Sequence, residues 1–164
     1  MTGVARARQA VESVLDPELP VVTLAELGVI RGVELNGDRV EVALTPTYTG
    51  CPALAQMRAD IQAALARAGF PRCEITTVLA PAWTTDWISE SGRRKLADHA
   101  ITPPGPAPRH QGPVPLTLAP RPPETCPRCG SGGTVELSRF SGTACRSLHS
   151  CTACGEPFEH MKAI

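Results

Sequence analysis

The chain has 164 residues, of which 42% are hydrophobic and 20% are charged, and its sixteen basic residues balance its sixteen acidic residues. A net charge of zero argues against electrostatic binding to nucleic acid or to a membrane surface. The N-terminal segment lacks the apolar core of a secretory signal, and no stretch is apolar for long enough to span a bilayer. Seven cysteines without an export signal therefore predict reduced thiols in the cytoplasm, where metal binding or reactive-thiol chemistry is more common than a disulfide framework.

Helical and strand patterns alternate along residues 1–100. Apolar residues at helical spacing predict a first helix that ends at Asp16-Pro17; they are Val4, Ala7, Val11, Val14 and Leu15. Thr23 and Glu26 fit a capping box on a short helical turn that Gly28 closes. Strands are predicted at 29–35 and 39–45, because they flank Asn36-Gly37, a dipeptide typical of β-hairpin turns.

A second helix and a third strand follow the hairpin. Apolar residues at helical spacing predict a helix from Leu54 to Ala68, with Pro52 suited to its first turn and Gly69 to its end. The β-branched residues at 73–79 predict a strand. This order of helix, hairpin, helix and strand predicts a small α/β domain with its helices on one face of a sheet.

Nine of the 17 prolines fall in the 25 residues of the segment 101–125. This segment shows no periodicity and offers little apolar surface to bury, so it is predicted to be a semi-extended, proline-rich linker. We therefore expect three parts, namely an α/β domain at 1–100, a linker at 101–125 and a tail at 126–164.

The tail carries two Cys-x-x-Cys-Gly motifs, Cys126/Cys129 and Cys151/Cys154, with 21 residues between them. Each motif forms a turn that directs two sulfurs at one ion, and two such turns complete a tetrahedral four-thiolate site. A strand is predicted between them, at 134–140. The 39 residues of the tail cannot bury enough apolar surface to fold unaided, so bound metal is expected to supply the stability. The spacing predicts a zinc ribbon, although a rubredoxin-like iron centre has the same motifs.

Three other residues of the tail are candidates for chemistry. For Cys145 three interpretations are open: a fifth metal ligand, a small buried side chain or a reactive thiol. His149 and His160 are candidates to replace one of the four cysteines as a metal ligand. Four basic and three acidic residues give the tail a net charge of +1. This small excess favours a structural or protein-contact role over nucleic-acid binding.

Cys51 lies between the second predicted strand and the second predicted helix. We expect it at the N-cap with Pro52 in the first helical position, where unpaired N–H groups and the helix dipole favour a thiolate. Such a thiolate ligates metal or attacks an electrophile; alternatively, the cysteine only caps the helix. No histidine lies near Cys51 in the sequence, which argues against a hydrolase-type nucleophile.

Two more segments are candidates. Asp16 and Glu18 form part of an Asp-Pro-Glu-Leu-Pro run, which is either functional or simply a solvated turn at the end of the first helix. Trp83 and Trp87 lie four residues apart, so they share one face of a helical turn. The simpler interpretation of these tryptophans is that they cover an edge of the sheet.

Taken together, these segments resemble the metal–sulfur cluster assembly family, which includes SufT-like proteins and the eukaryotic cytosolic iron–sulfur targeting proteins. The resemblance rests on the motifs D-P-E-L-P, T-P-T-Y-T-G-C-P-A and W-T-T-D-W-I-S. The tail motifs C-P-R-C-G, S-G-T-A-C-R-S-L and C-x-x-C-G-E-P-F-E-H-M-K narrow it to the PaaD-like family of phenylacetate degradation. The resemblance covers both ends of the chain and skips the proline-rich segment.

The resemblance implies a non-catalytic maturation factor. In phenylacetate catabolism a di-iron oxygenase epoxidises the ring of the CoA thioester, and its reductase carries a [2Fe–2S] cluster and a flavin. The implied role is maturation of one of these metal centres by iron–sulfur cluster assembly or delivery. The implied partners are the phenylacetyl-CoA oxygenase components, above all the iron–sulfur reductase, with no nucleic acid and no membrane.

The resemblance also assigns roles to individual residues. Cys51 matches the family's functional thiol, Asp16 and Glu18 match its acidic motif, and Cys145 matches the Thr-Ala-Cys run of PaaD-like tails. The implied cofactors are a structural zinc in the ribbon and a transient iron–sulfur cluster. Two alternatives stay open: a rubredoxin-like electron-transfer module and a purely structural subunit of the oxygenase.

Overall fold

The computed structural model describes residues 2–48, 50–107 and 123–164. These residues form two compact units, Met1–Gly92 and Arg93–Ile164, and the division falls within a helix. Among the described residues, no helix combines the length and the apolar character that a membrane crossing requires.

Among its described residues, the first unit contains two α-helices, a three-stranded sheet and a short 3-10 helix at Thr85–Trp87. Its elements in chain order are α1 (Gly3–Glu12), β1 (Ile30–Asn36), β2 (Arg39–Leu44), α2 (Leu54–Arg67) and β3 (Cys73–Thr77). β1 and β2 form an antiparallel hairpin, and β3 pairs in parallel with β2 after the α2 crossover. The predicted order of helix, hairpin, helix and strand is confirmed.

The core of the first unit is formed by apolar side chains of both helices and the sheet. α1 buries Ala7 and Val11, while α2 buries Met57, Ile61 and Leu65. The hairpin strands contribute further buried residues to this core: Val33, Val40, Val42 and Leu44. Each helix and strand buries one of its faces, which explains why apolar residues recur at helical or at alternating spacing along the sequence.

The first helix ends earlier than its apolar pattern predicts. α1 stops at Glu12, whereas the apolar pattern predicts an end at Asp16-Pro17. Leu15 pairs with Thr23 in an isolated bridge, and the carbonyl of Val14 accepts a bond from Leu24 N–H. This extended segment competes with the helix and leaves the Leu15 side chain exposed, contrary to its predicted place on the apolar face.

The structure contains the predicted capping box at Thr23–Glu26 and a hairpin turn close to the predicted position. In the capping box, Thr23 N–H donates to Glu26 Oε2 at 2.9 Å and Glu26 N–H donates to Thr23 Oγ1 at 3.1 Å. The hairpin turn lies one residue later than predicted, because Asn36 still pairs with Arg39. Gly37 adopts a φ of +64° in this turn, a conformation that favours glycine.

The second unit is built on a four-stranded sheet. α3 (Glu90–Asp98) precedes β4 (Ile101–Thr102), β5 (Thr134–Ser138), β6 (Arg146–Cys151) and β7 (Pro157–Met161). The strand order is β4-β7-β6-β5, with β5–β6 and β6–β7 antiparallel and β4–β7 parallel.

The segment predicted as a linker at 101–125 is structured at both of its ends. Ile101 and Thr102 are buried as β4, and the Thr102 hydroxyl donates to the carbonyl of Thr125 at 3.0 Å. The carbonyl of Glu124 accepts a bond from the hydroxyl of Thr134. The prediction that 101–125 buries little is therefore wrong at its first residues, because β7 offers a strand edge to Ile101 and Thr102, whereas Glu124 is half-buried and Thr125 is exposed. Residues 108–122 lie outside the described residues.

Candidate metal centre and the Cys51 loop

The two Cys-x-x-Cys-Gly turns of the tail have the same backbone design. Cys126 N–H donates to the carbonyl of Ser131, and Cys151 N–H donates to the carbonyl of Glu156, both at 2.9 Å. The glycine after each pair has a positive φ, +72° at residue 130 and +75° at residue 155. No atom crowds either glycine, so the backbone conformation and not lack of space selects glycine there.

These turns bring four sulfur atoms together. The Sγ atoms of Cys126, Cys129, Cys151 and Cys154 all lie within 4.8 Å of one another. Cys126 Sγ is 3.8 Å from Cys154 Sγ, and Cys129 Sγ is 3.6 Å from Cys151 Sγ. A tetrahedral ion with thiolate bonds of about 2.3 Å requires sulfurs at such separations, so the arrangement fits a four-thiolate metal site.

Backbone N–H groups, neighbouring thiols and burial together set the pKa values of the cysteine side chains. The N–H of Cys154 lowers the pKa of the Cys151 thiol to about 6, against the effect of burial. The N–H of Ser131 lowers the pKa of Cys129, but burial and the neighbouring thiols of Cys151, Cys154 and Cys126 together outweigh it and raise the pKa to about 12. Cys151 is therefore the thiol that ionises most readily, whereas the raised pKa values of Cys129 and Cys154 mean that a cation is needed to ionise these two thiols at neutral pH.

The apolar core around this site is very small. One cluster of buried apolar contacts in the described part of the tail consists of Cys126, Cys151 and Phe158. Two of its three members are themselves metal-ligand candidates. A segment with so little apolar burial depends on a cross-link such as a metal ion for its stability.

The other candidate residues of the tail lie apart from the four sulfurs. Cys145 is buried just before β6, and its sulfur is 3.0 Å from the hydroxyl of Thr143. Buried His149 bonds to the hydroxyl of Ser147 at 2.8 Å, and buried His160 approaches a carboxylate oxygen of Glu124 at 3.3 Å. In the part of the chain that the structure describes, neither histidine nor Cys145 joins the sulfur group.

Cys51 is not at the helix cap. The N-cap of α2 is Ala53, which makes no side-chain capping bond, and Cys51 lies two residues earlier in the preceding turn. Its carbonyl accepts a bond from Leu54 N–H at 3.2 Å, and its side chain is buried. The predicted N-cap position is thus wrong by two residues, because Pro52 and Ala53 form a turn before the helix begins. Cys51 remains next to the start of α2.

The acidic motif forms a compact turn. Oδ1 of buried Asp16 accepts bonds from the N–H groups of Glu18 and Leu19, at 2.9 and 2.8 Å. Glu18 is half-buried. The simple interpretation as a solvated turn is therefore incorrect for Asp16, since this carboxylate is buried and holds the turn together.

Backbone hydrogen bonds connect this turn to the loop that carries Cys51. The N–H of Leu24 donates to the carbonyl of Val14, two residues before Asp16. The carbonyl of Leu24 accepts a bond from Val29 N–H. The carbonyl of Val29 in turn accepts a bond from the N–H of Thr45, the first residue of the Cys51 loop. Asp16 and Cys51 thus belong to segments joined at one end of the hairpin. Within the described residues, however, Asp16, Glu18 and Cys51 do not bring three ligand atoms close enough to hold a metal.

Thr45 was not singled out by the sequence, yet it has an unusual environment. Its side chain is buried, and its hydroxyl has no hydrogen-bond partner among the described residues. Buried hydroxyl groups are almost always paired in folded proteins. The start of the Cys51 loop therefore offers a polar atom that a bound group would satisfy, a signal that no local sequence pattern reveals.

The two tryptophans take structural positions. Trp83 is buried and donates its indole N–H to the carbonyl of Leu27 at 2.9 Å. The guanidinium of Arg31 lies 3.7 Å from the centre of the Trp87 ring. Ser89 N–H donates to the carbonyl of Glu26. This segment therefore packs on the turn around Glu26–Gly28, which lies outside the sheet, and not simply on a sheet edge. The predicted helical turn shared by both tryptophans is wrong, because the 3-10 helix spans only Thr85–Trp87.

Comparisons with known proteins match both parts of the chain. Residues 5–79 match the iron–sulfur cluster assembly protein family, and residues 111–162 match the PaaD zinc beta ribbon domain. The chain is 40% identical over 150 residues to an Escherichia coli (strain K12) protein named as one of the subunits of 1,2-phenylacetyl-CoA epoxidase. The alignment covers 91% of this chain and 86% of that protein.

Two solved structures align with somewhat more than half of the chain. A domain of unknown function, DUF59, from Bacillus anthracis aligns with a TM-score of 0.53 at 25% identity, over 57% of this chain and 90% of that one. A conserved hypothetical protein from Thermotoga maritima aligns with a TM-score of 0.49 at 24% identity, over 58% of this chain and 94% of that one.

The four-sulfur site lies within the residues that match the zinc ribbon, and the Cys51 loop lies within those that match the assembly domain. Identity to the Escherichia coli protein extends across both regions. The chain therefore belongs to the PaaD family of phenylacetyl-CoA epoxidase subunits, which joins an iron–sulfur cluster assembly domain to a PaaD zinc ribbon.

Proposed function

We propose that this protein is a non-catalytic maturation factor for the metal centres of a phenylacetyl-CoA epoxidase complex and that it assembles or delivers an iron–sulfur cluster. The proposal rests on one observation: the same chain contains an iron–sulfur assembly-type domain and a PaaD zinc ribbon, and it is similar to a protein named as an epoxidase subunit. The proposed clients are the epoxidase components, with the iron–sulfur reductase as the principal one.

Cys51 is the proposed functional thiol. It lies next to the start of α2, in a loop whose first residue, Thr45, has a buried hydroxyl without a partner among the described residues. Iron–sulfur clusters are usually held by four thiolates, and no three-ligand group includes Cys51 in the described residues. A cluster at Cys51 would thus take its other ligands from a second copy or from the client, which suits transient binding and transfer.

The acidic motif is proposed to support this site. Asp16 fixes its own turn through two backbone N–H groups, and that turn is joined to the start of the Cys51 loop by backbone hydrogen bonds. Glu18 follows in the same turn and is half-buried. In this proposal Asp16 positions the turn, and Glu18 presents a carboxylate to the client or to the metal cargo.

The ribbon is proposed to hold one structural zinc. Cys126, Cys129, Cys151 and Cys154 supply four thiolates, a set that closes the coordination sphere and leaves no open position for a substrate. The paired turns also suit a rubredoxin-like iron, which would favour the electron-transfer alternative. The name of the Escherichia coli relative, an epoxidase subunit, favours the alternative of a structural subunit.

The deciding experiment is co-expression of the full chain with the epoxidase components, followed by assays of epoxidation and of cluster content in the reductase. Cys51→Ser is expected to abolish maturation while the melting temperature stays near that of the wild type. Cys73→Ser is the matched control, because Cys73 is a cysteine of the same unit outside the proposed site. Full epoxidation with Cys51→Ser at equal protein levels would contradict the delivery role.

The same preparations separate the alternatives. A red protein with iron in the ribbon would support electron transfer, whereas a colourless zinc protein supports the structural role of the ribbon. If activity disappears only with Cys145→Ser, the working thiol lies in the ribbon and not in the assembly domain. If neither thiol matters but the complex fails to form without this chain, the structural-subunit alternative holds.

A further inference from the structure

The outer strand of the second sheet carries an unusual concentration of exposed apolar side chains. Val135, Leu137 and Phe140 are 52%, 57% and 63% exposed, and they fall within six consecutive positions. β5 is the edge strand of its sheet, so in the described residues no strand pairs with its outer edge. We call residues 135–140 together with Lys162 the β5 surface.

The backbone holds these side chains at the surface. A register shift between Glu136 and Ser138 displaces Leu137 from the regular ladder. The Ser138 hydroxyl donates to the carbonyl of Phe140 and accepts from its N–H, so a tight local turn fixes the position of Phe140. Edge strands normally avoid exposed apolar side chains, because such edges recruit other strands.

The charged groups around Phe140 are mostly basic. The ammonium of Lys162 lies 4.2 Å from the centre of the Phe140 ring. Arg139, Phe140, Lys162 and Glu136 line a shallow cavity of about 160 Å³. Arg139 is 4.0 Å from Glu136, at the limit of an ion pair. Two cations against one anion leave this apolar surface with a net positive charge.

We propose that the β5 surface docks an extended, acidic and apolar segment of a client protein, which adds to the sheet as a fifth strand. An unpaired strand edge supplies main-chain hydrogen bonds to such a segment, while exposed side chains select its alternating residues. Val135, Leu137 and Phe140 select apolar residues, and Lys162 and Arg139 select carboxylates. The proposal rests on the proposed function, because it names the surface by which the ribbon recognises a client.

The first test is a site-specific cross-link made with the full-length, zinc-loaded chain. The photo-reactive p-benzoylphenylalanine replaces Phe140, and the protein is irradiated with each purified epoxidase component in turn. We expect a covalent product with an extended acidic and apolar segment of one component. The same probe in place of Leu79, which is 56% exposed in the first unit, is the control.

Several results would overturn the docking proposal. These are a yield no higher than that of the Leu79 probe, a product with a second copy of this chain, and a product with a basic or helical segment of a component. A wild-type chain that binds none of the components would also overturn it.

The second test measures the binding affinity for the cross-linked component. Phe140→Ser and Arg139→Glu are each expected to raise the dissociation constant at least about tenfold, with unchanged zinc content. Leu79→Ser, which removes an exposed apolar side chain from the first unit, should leave the affinity unchanged. Unchanged affinity in the first two variants would contradict the proposal.

Cys51→Ser distinguishes this proposal from the proposed function. With chains that carry no iron–sulfur cluster, it should bind the component through the β5 surface as tightly as the wild type and still fail in maturation. If the β5 variants bind normally while Cys51→Ser fails in maturation, docking at β5 is wrong and the delivery role stands. If the β5 variants lose binding while Cys51→Ser matures the client fully, docking stands and the delivery role is wrong.

Discussion

Gly28 lies directly against Trp87: a Cβ atom on Gly28 would be 2.6 Å from the Cβ of Trp87 and 2.8 Å from its carbonyl oxygen. Gly28 also has a φ of +72°, which side chains other than glycine rarely adopt. The capping-box turn and the tryptophan segment can therefore pack together only through a residue without a side chain. This contact holds the segment after β3 against the turn before β1.

Gly28→Ala is expected to destabilise the first unit by about 2 to 4 kcal/mol, from the positive φ together with the steric conflict. Gly37→Ala is the matched control, since Gly37 has a φ of +64° and nothing lies within 4 Å of a Cβ there. Gly37→Ala should lower the free energy of unfolding by only about 1 to 2 kcal/mol. Urea unfolding measures both variants, and equal losses would show that the approach of Trp87 is unimportant.

Loss of one sulfur is expected to remove the metal and to unfold the ribbon. Cys126 and Cys151 are both buried members of the four-sulfur group, so Cys151→Ser removes a ligand and part of the small core. We expect one zinc per wild-type chain, and none in the variant, by metal analysis, with loss of the β signal of the second unit. Cys73→Ser should retain the zinc. A folded ribbon without metal would contradict this prediction.

Zinc affinity is expected to fall as the pH falls. The pKa of Cys129 is raised to about 12 and the pKa of Cys154 is also raised, so zinc must displace at least these two protons at neutral pH. Two displaced protons weaken the affinity by about 100-fold for each pH unit lost. Competition with a chromophoric chelator between pH 8 and pH 6 measures the slope, and a constant affinity would contradict the prediction.

Two substitutions of Asp16 separate its structural role in the turn from a role of its negative charge in maturation. Asp16→Ala removes the acceptor of the N–H groups of Glu18 and Leu19, and it is expected to cost about 1 to 3 kcal/mol of stability. Asp16→Asn keeps an oxygen that accepts both bonds, so its melting temperature should stay close to that of the wild type.

Maturation by Asp16→Asn then reports on the charge of the carboxylate. Normal maturation at unchanged stability supports the positioning role proposed for Asp16. Lost maturation at unchanged stability would show that the negative charge itself takes part. A melting temperature of Asp16→Asn as low as that of Asp16→Ala would contradict the role of Oδ1 in the turn.

The sequence by itself determined the features that depend on short spacing. The two Cys-x-x-Cys-Gly motifs predicted the four-sulfur group, because each motif forms its turn from adjacent residues. The capping box at Thr23 and Glu26 and the order of elements in the first unit were equally local in origin. Each of these features follows from hydrogen bonds or side-chain periods within a few residues.

Only the tertiary structure decided the features that need a distant partner. Ile101 and Thr102 form a strand because β7 lies beside them, and no pattern within 101–125 indicates that neighbour. The burial of Asp16 and of the Thr45 hydroxyl depends on how separate turns pack at one end of the hairpin. The unpaired outer edge of β5 follows from its terminal place in the strand order of the described residues. Burial and strand order are properties of the assembled chain, so local sequence determines the turns but not their neighbours.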